Sequence, residues 1–202
     1  MQPYRLTGAA SAWFAVLAQY GISISQSGLV PGTVIYFAFF TMLGNILVAL
    51  AFTAPLLPAG HRPAFFLRPG VRSAIGVYIL VVAVIFYLLL RKIYHPSGLG
   101  WFVNIQLHYI NPPLYLLDWA LFVPKRELRF VHIPFWLIFP VAYASYTMLH
   151  GAFSGFYPYP FLNAATLGYT HVGINIGGLT LLFAGASAGF VATGRYLLAA
   201  TD

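Results

Sequence analysis

Six apolar runs, each close to bilayer length and almost free of charge, follow one another along this chain. They cover residues 6–25, 33–57, 73–90, 99–123, 130–149 and 172–199. A helix needs about 20 residues to cross the hydrocarbon of a membrane, so six crossings with their connectors nearly exhaust 202 residues. Charged side chains make up 6% of the sequence, where a soluble domain carries roughly 25%. That is too little polar surface for a fold dissolved in water, and a chain that is 60% hydrophobic has no reason to stay disordered. The expectation is an all-α polytopic membrane protein: one domain over residues 1–202, built as a bundle of six transmembrane helices.

Pro- and Gly-rich breaks at 28–32, 55–70, 95–100, 124–129 and 151–171 separate the runs. The first run follows Arg5 and ends in small residues, as a secretory signal does, but it is longer than the 7–15-residue core of a signal and reads as a retained helix. The basic residues fall at the ends of the runs. Arg5, Arg62, Arg68, Arg72, Lys125, Arg126, Arg129 and Arg195 collect on one side, and Arg91 and Lys92 on the other. Eight against two puts both termini in the cytoplasm and the chain in the cell (inner) membrane. The same scatter excludes a nucleic-acid footprint for the net charge of +7. There is no cysteine, hence no disulfide framework, no thiolate metal site and no thiol nucleophile.

Polar side chains at membrane depth are costly and mark functional sites. In the second run Thr41 and Asn45 are four apart and share a helix face. Thr41 has a bland alternative, a hydroxyl bonded back to the Phe37 carbonyl, whereas an amide such as Asn45 needs a partner in hydrocarbon. The fourth run is denser. Asn104, His108, Asn111 and Tyr115 follow an i, i+4, i+7, i+11 spacing and form one stripe. Pro112 and Pro113 lack N–H groups, so carbonyls one turn earlier lose their helical partners and must be satisfied by protein or by water in a cavity. The double proline reads either as a hydrated pocket beside His108 or as a structural kink.

Counted from the starts of their runs, Thr41 and His108 lie at matching depth, about 12–14 Å down at ~1.5 Å per residue. A hydroxyl and an imidazole at one level are a candidate nucleophile–base pair if their helices are neighbours. Asp118 lies ~15 Å further along and is expected to pair near the inner face with Lys125 or Arg126. His150 and His171 flank the aromatic connector at 151–171, which reads as an interfacial belt or a lid.

Three motifs carry a resemblance: Phe39-Phe40-Thr41 in the second run, His108-x4-Pro113-x4-Asp118 in the fourth, and Tyr159-Pro160-Phe161-Leu162 before the last. Together they resemble the androgen-induced and androgen-dependent tissue-factor-pathway-inhibitor-regulating protein family, multipass membrane hydrolases that cleave fatty acid esters of hydroxy fatty acids. The resemblance implies that Thr41 is the nucleophile and His108 its partner, with Asp118 where that family usually carries Glu. Asn111-Pro112-Pro113 departs from the family pattern.

The implied activity is hydrolysis of a membrane lipid or fatty acid ester within the bilayer, with no cofactor or metal. Thr41 and His108 would be catalytic, while Asn45, Asn111, Asn104 and Tyr115 would supply oxyanion or polar support, and Asp118 and His150 would stand behind them. Two other classes fit parts of the pattern. Histidines on several helices suit a haem-binding electron-transfer protein, although only His108 lies well inside a run. The polar stripe also suits a small-molecule or lipid transporter, although Asp118 is the only acid in any run.

Overall fold

In a computed structural model of the chain, every regular element among the described residues is helical. Residues 2–199 are described, apart from the side chains of 195 and 197–199; the expected place of the Arg195 side chain on the basic side therefore lies outside the described residues. Contacts gather in two units, one up to Glu127 and one from Leu128.

The first unit contains α1 (Gln2–Ser27), α2 (Leu29–Ala38), α3 (Phe40–Thr53), the short α4 (Ala64–Leu67), α5 (Pro69–Ile85), α6 (Gly98–Ile105) and α7 (Asn111–Phe122). A π-helical turn over Phe86–Leu90 extends α5, and another over Gln106–Ile110 joins α6 to α7. The second unit contains α8 (Ile133–Ser154) and α9 (Ala164–Ala199), the latter broken at Gly168, where φ is 76° and ψ 154°.

Among the described residues, Pro69–Leu90, Phe130–Ser154 and Ala164–Gly194 are long and apolar enough to cross a membrane, and Leu29–Ala38 with Phe40–Leu56 qualifies as a pair bent by 82°. All six apolar runs are helical, but three to four meet that test rather than six. The two that fall short are diluted by polar residues: Ser11, Gln19 and Ser23 in α1, and Asn104, Gln106, His108, Asn111 and Asp118 in α6–α7.

Small residues let the helices of the first unit approach closely, as in membrane packing generally. α1 buries Gly8, Ala9, Ala12, Ala15 and Val16. A Cβ on Gly8 would lie 2.7 Å from the Phe52 ring of α3, and one on Gly32 of α2 would lie 2.5 Å from the Ser23 carbonyl oxygen of α1. Gly28, at φ 83°, turns the chain between α1 and α2, and Tyr36 Oη then ties α2 to α1 by donating to Val16 O at 3.0 Å.

The second run is not the continuous helix expected over 33–57. Phe39 is extended, with φ −90° and ψ 125°, and α3 starts afresh after it. Neither Pro nor Gly stands at the bend, so nothing in the sequence punctuates it. In the second unit, α8 and α9 absorb both ends of the expected 151–171 connector. Gly155, at φ 73°, closes α8, and Asn163 Oδ1 opens α9 by accepting from Ala165 N at 3.0 Å.

Candidate active site

The bend at Phe39 makes Thr41 the second residue of a new helix, α3. A helix N-terminus carries partial positive charge, so the Thr41 side chain sits where developing negative charge is favoured. Its Oγ1 lies 3.5 Å from His108 Nε2, and both residues are buried, at 7% and 9% exposed. On the other side of the ring, His108 Nδ1 lies 3.1 Å from the Asn104 carbonyl oxygen. A carbonyl can only accept, so Nδ1 carries the proton, and in the neutral ring Nε2 is then the nitrogen with the lone pair, on the Thr41 side. Phe86 stacks on the imidazole face with centroids 3.8 Å apart and planes 19° apart, fixing the plane of the ring.

The depth count from residue 33 assumed a straight helix, which the bend removes. Thr41 and His108 still meet, because α3 begins beside the π-helical turn that carries His108.

That turn changes the hydrogen-bond register in front of the two prolines. The Asn111 N–H reaches the Gln106 carbonyl, five residues back, instead of the Leu107 carbonyl it would meet in an α-helix. Asn45 Nδ2 donates to Leu107 O at 3.3 Å and to Thr41 O at 2.9 Å. Asn45 Oδ1 accepts from Asn111 Nδ2 at 2.9 Å, and Asn111 Oδ1 accepts from Ser11 Oγ at 2.8 Å. Ser11 Oγ is also 3.0 Å from the Gln106 side-chain oxygen. Asn45 and Asn111, at 0% and 1% exposed, thus cross-link α1, α3 and α7 directly beneath the Thr41–His108 pair. With both Asn45 amide protons committed to carbonyls, Asn45 acts as a brace rather than as a donor to substrate.

Other expected members lie elsewhere. Tyr115 leaves the stripe: its Oη donates to Arg72 O at 3.1 Å. Asp118 does not pair with Lys125 or Arg126. Its Oδ1 accepts from Arg5 Nε at 2.8 Å and its Oδ2 from Arg72, because the starts of α1 and α5 flank the end of α7. Lys125 instead turns back on α7 and donates to the carbonyls of Trp119, Ala120 and Val123; burial lowers the pKa of its ammonium. His150 belongs to the second unit, where Ser154 Oγ lies 3.4 Å from its Nδ1 and Tyr146 stacks on its ring.

Three residues of this region escape a reading of the sequence: Ser11, Gln106 and Phe86. Ser11 is a single hydroxyl in a run rich in Ala, and Phe86 is one apolar residue among many. Gln106 is off the i, i+4 stripe, and the π-helical turn brings it back. No protein-family model, curated protein or solved structure matches the chain.

Proposed function

We propose that this protein is an integral membrane lipid esterase that hydrolyses fatty acid esters of hydroxy fatty acids, or similar acyl esters, through a Thr41 nucleophile and a His108 base. One observation carries the reading: a buried threonine hydroxyl 3.5 Å from a histidine Nε2 whose tautomer is set by a carbonyl on the opposite nitrogen. Catalytic contacts are commonly this long before substrate binds.

In the reaction, Thr41 Oγ1 attacks the ester carbonyl as His108 Nε2 takes its proton. The tetrahedral oxyanion forms at the positive end of the α3 dipole, and His108 then protonates the departing alcohol. Water subsequently releases the acyl group from Thr41. The Asn45–Asn111–Ser11 chain holds α3, α7 and α1 in register so that hydroxyl and imidazole stay opposed.

The topology goes with this reading. Arg5 at the start of α1, Arg72 near the start of α5 and Asp118 near the end of α7 meet in one cluster, as they would if those ends share a membrane face. In this reading that face is cytoplasmic, in line with the excess of basic residues, with six crossings, both termini inside and the site in the outer half of the bilayer of the cell (inner) membrane. Substrate then enters sideways from the outer leaflet. Haem ligation is disfavoured, because both nitrogens of His108 face protein oxygens.

The test is labelling of membranes with a fluorophosphonate, followed by peptide mapping. Modification at Thr41, lost in both Thr41→Ala and His108→Ala while the protein remains folded, is the expected result. Labelling that persists in either variant removes that residue from the mechanism.

A further inference from the structure

Hydrolysis through an acylated threonine has a second half, and it needs a water held opposite the acyl carbon. Asn104 stands one helical turn before His108 and is joined to it by the contact between its carbonyl and Nδ1. Its side-chain oxygen is buried and, among the described residues, has no hydrogen-bond partner. The other amides of this region differ. Asn45 and Asn111 bond each other, and Gln106 has Ser11. A buried oxygen without a partner forfeits the hydrogen bonds it would have in water, so Asn104 Oδ1 has an open requirement for a donor. As an acceptor it cannot stabilise an oxyanion. It can take a proton-bearing oxygen.

Position selects which oxygen. Asn104 lies six residues from the start of α6 at Gly98, about 9 Å of helix rise. It is only partly buried as a residue, and it stands between His108 and the nearer end of the helix.

We propose that Asn104 Oδ1 holds the water that hydrolyses acylated Thr41, an assignment that rests on the esterase reading above. The water donates one hydrogen bond to Asn104 Oδ1 and the other to His108 Nε2. Its oxygen bonds to the acyl carbon as the second proton passes to Nε2. The bond between the acyl carbon and Thr41 Oγ1 then breaks, Oγ1 recovers the proton from His108, and a carboxylic acid leaves. Acylation uses no water, so the Asn104 side chain serves the second half only, whereas its backbone carbonyl orients His108 in both.

Burst kinetics with p-nitrophenyl octanoate on the full detergent-purified chain separate the two halves. Asn104→Leu is expected to keep the rapid burst of nitrophenol and to lower the steady-state rate at least tenfold, with an octanoyl adduct on Thr41 visible by mass spectrometry. Asn104→Asp, which keeps an acceptor, is expected to restore most of the steady-state rate. Burst and steady state falling together, both staying at wild-type values, or Asp failing to rescue would each overturn the assignment. The esterase reading fails separately, in a wild-type protein that shows neither burst nor fluorophosphonate labelling at Thr41.

Discussion

Phe86 and His108 lie face to face, their ring centroids 3.8 Å apart and their planes 19° apart. The stack holds the imidazole in one plane, and the Asn104 carbonyl on Nδ1 selects its angle within that plane. Neither contact touches the hydroxyl, yet together they determine where Nε2 points. Phe86 opens the π-helical turn at the end of α5, and His108 lies in the π-helical turn between α6 and α7. Two irregular turns thus meet at the site, which is where such turns commonly occur.

Loosening the stack should therefore damage turnover more than binding. Phe86→Ala is expected to lower kcat by roughly 10–100-fold, the cost of a base displaced by about 1 Å, with KM little changed. Steady-state kinetics on a soluble chromogenic ester check this. An equal effect on KM would instead mean that Phe86 lines the acyl pocket.

Removing the base itself has a larger effect. His108→Gln is expected to reduce kcat by about 10²–10⁴-fold, the usual contribution of general-base catalysis. Thr41→Ser should retain substantial activity, since the hydroxyl and its neighbour are kept. Both are read by fluorophosphonate labelling rates alongside kcat. A Thr41→Ala protein as active as wild type would dismiss the nucleophile.

The helical class, the shared face of Thr41 and Asn45, and the grouping of Asn104, His108 and Asn111 are legible in the sequence, because each depends on spacing along one helix. The bend at Phe39 is not, since no Pro or Gly marks it and the break is set by how α2 folds back on α1. The partners of Asp118 are not legible either. Lys125 and Arg126 are near in sequence, but Arg5 and Arg72 are near in space, and only tertiary packing distinguishes them. Ser11 and Phe86 gain their roles from neighbours on other helices, which one sequence does not display.

Asn45 joins α3 to the segment running from α6 through α7, by bonds to the Leu107 carbonyl and the Asn111 side chain. Asn45→Leu strands the Leu107 carbonyl and the Asn111 amide in the interior. The expected loss is about 1–3 kcal/mol, the cost of leaving buried polar groups unpaired, at the low end if the hydrocarbon-embedded unfolded state also finds partners. Thermal unfolding in detergent measures it. An unchanged Tm would mean that Asn45 contributes nothing net to holding α3 against α6–α7.

The glycine contacts separate immovable neighbours from movable ones. A Cβ on Gly32 would meet backbone, the Ser23 carbonyl oxygen at 2.5 Å, so Gly32→Ala must push α2 away from α1. Overpacking of this kind costs about 1–3 kcal/mol. On Gly8 the added carbon meets the far end of the Phe52 side chain instead of backbone, so Gly8→Ala should cost less. Gly21→Ala has nothing within 4 Å and should be neutral or slightly stabilising through helix propensity. The expected order of Tm is Gly21→Ala, then Gly8→Ala, then Gly32→Ala.

Asp118 supplies the last prediction, because one buried carboxylate faces two guanidinium groups. Asp118→Asn leaves Arg5 and Arg72 without their counter-charge, and Arg72 is 3% exposed. Breaking a buried pair by removing one partner costs about 3–5 kcal/mol, whereas replacing both by apolar groups can be nearly neutral. Asp118→Leu combined with Arg72→Met should therefore be more stable than Asp118→Asn alone, since Arg5, at 11% side-chain exposure, can turn its head toward water. Denaturation of the three proteins in matched detergent decides it. If the double variant proved less stable than the single, Arg72 would be stabilising in its own right, through its pairing with Asp118 or its bond to the Ala51 carbonyl.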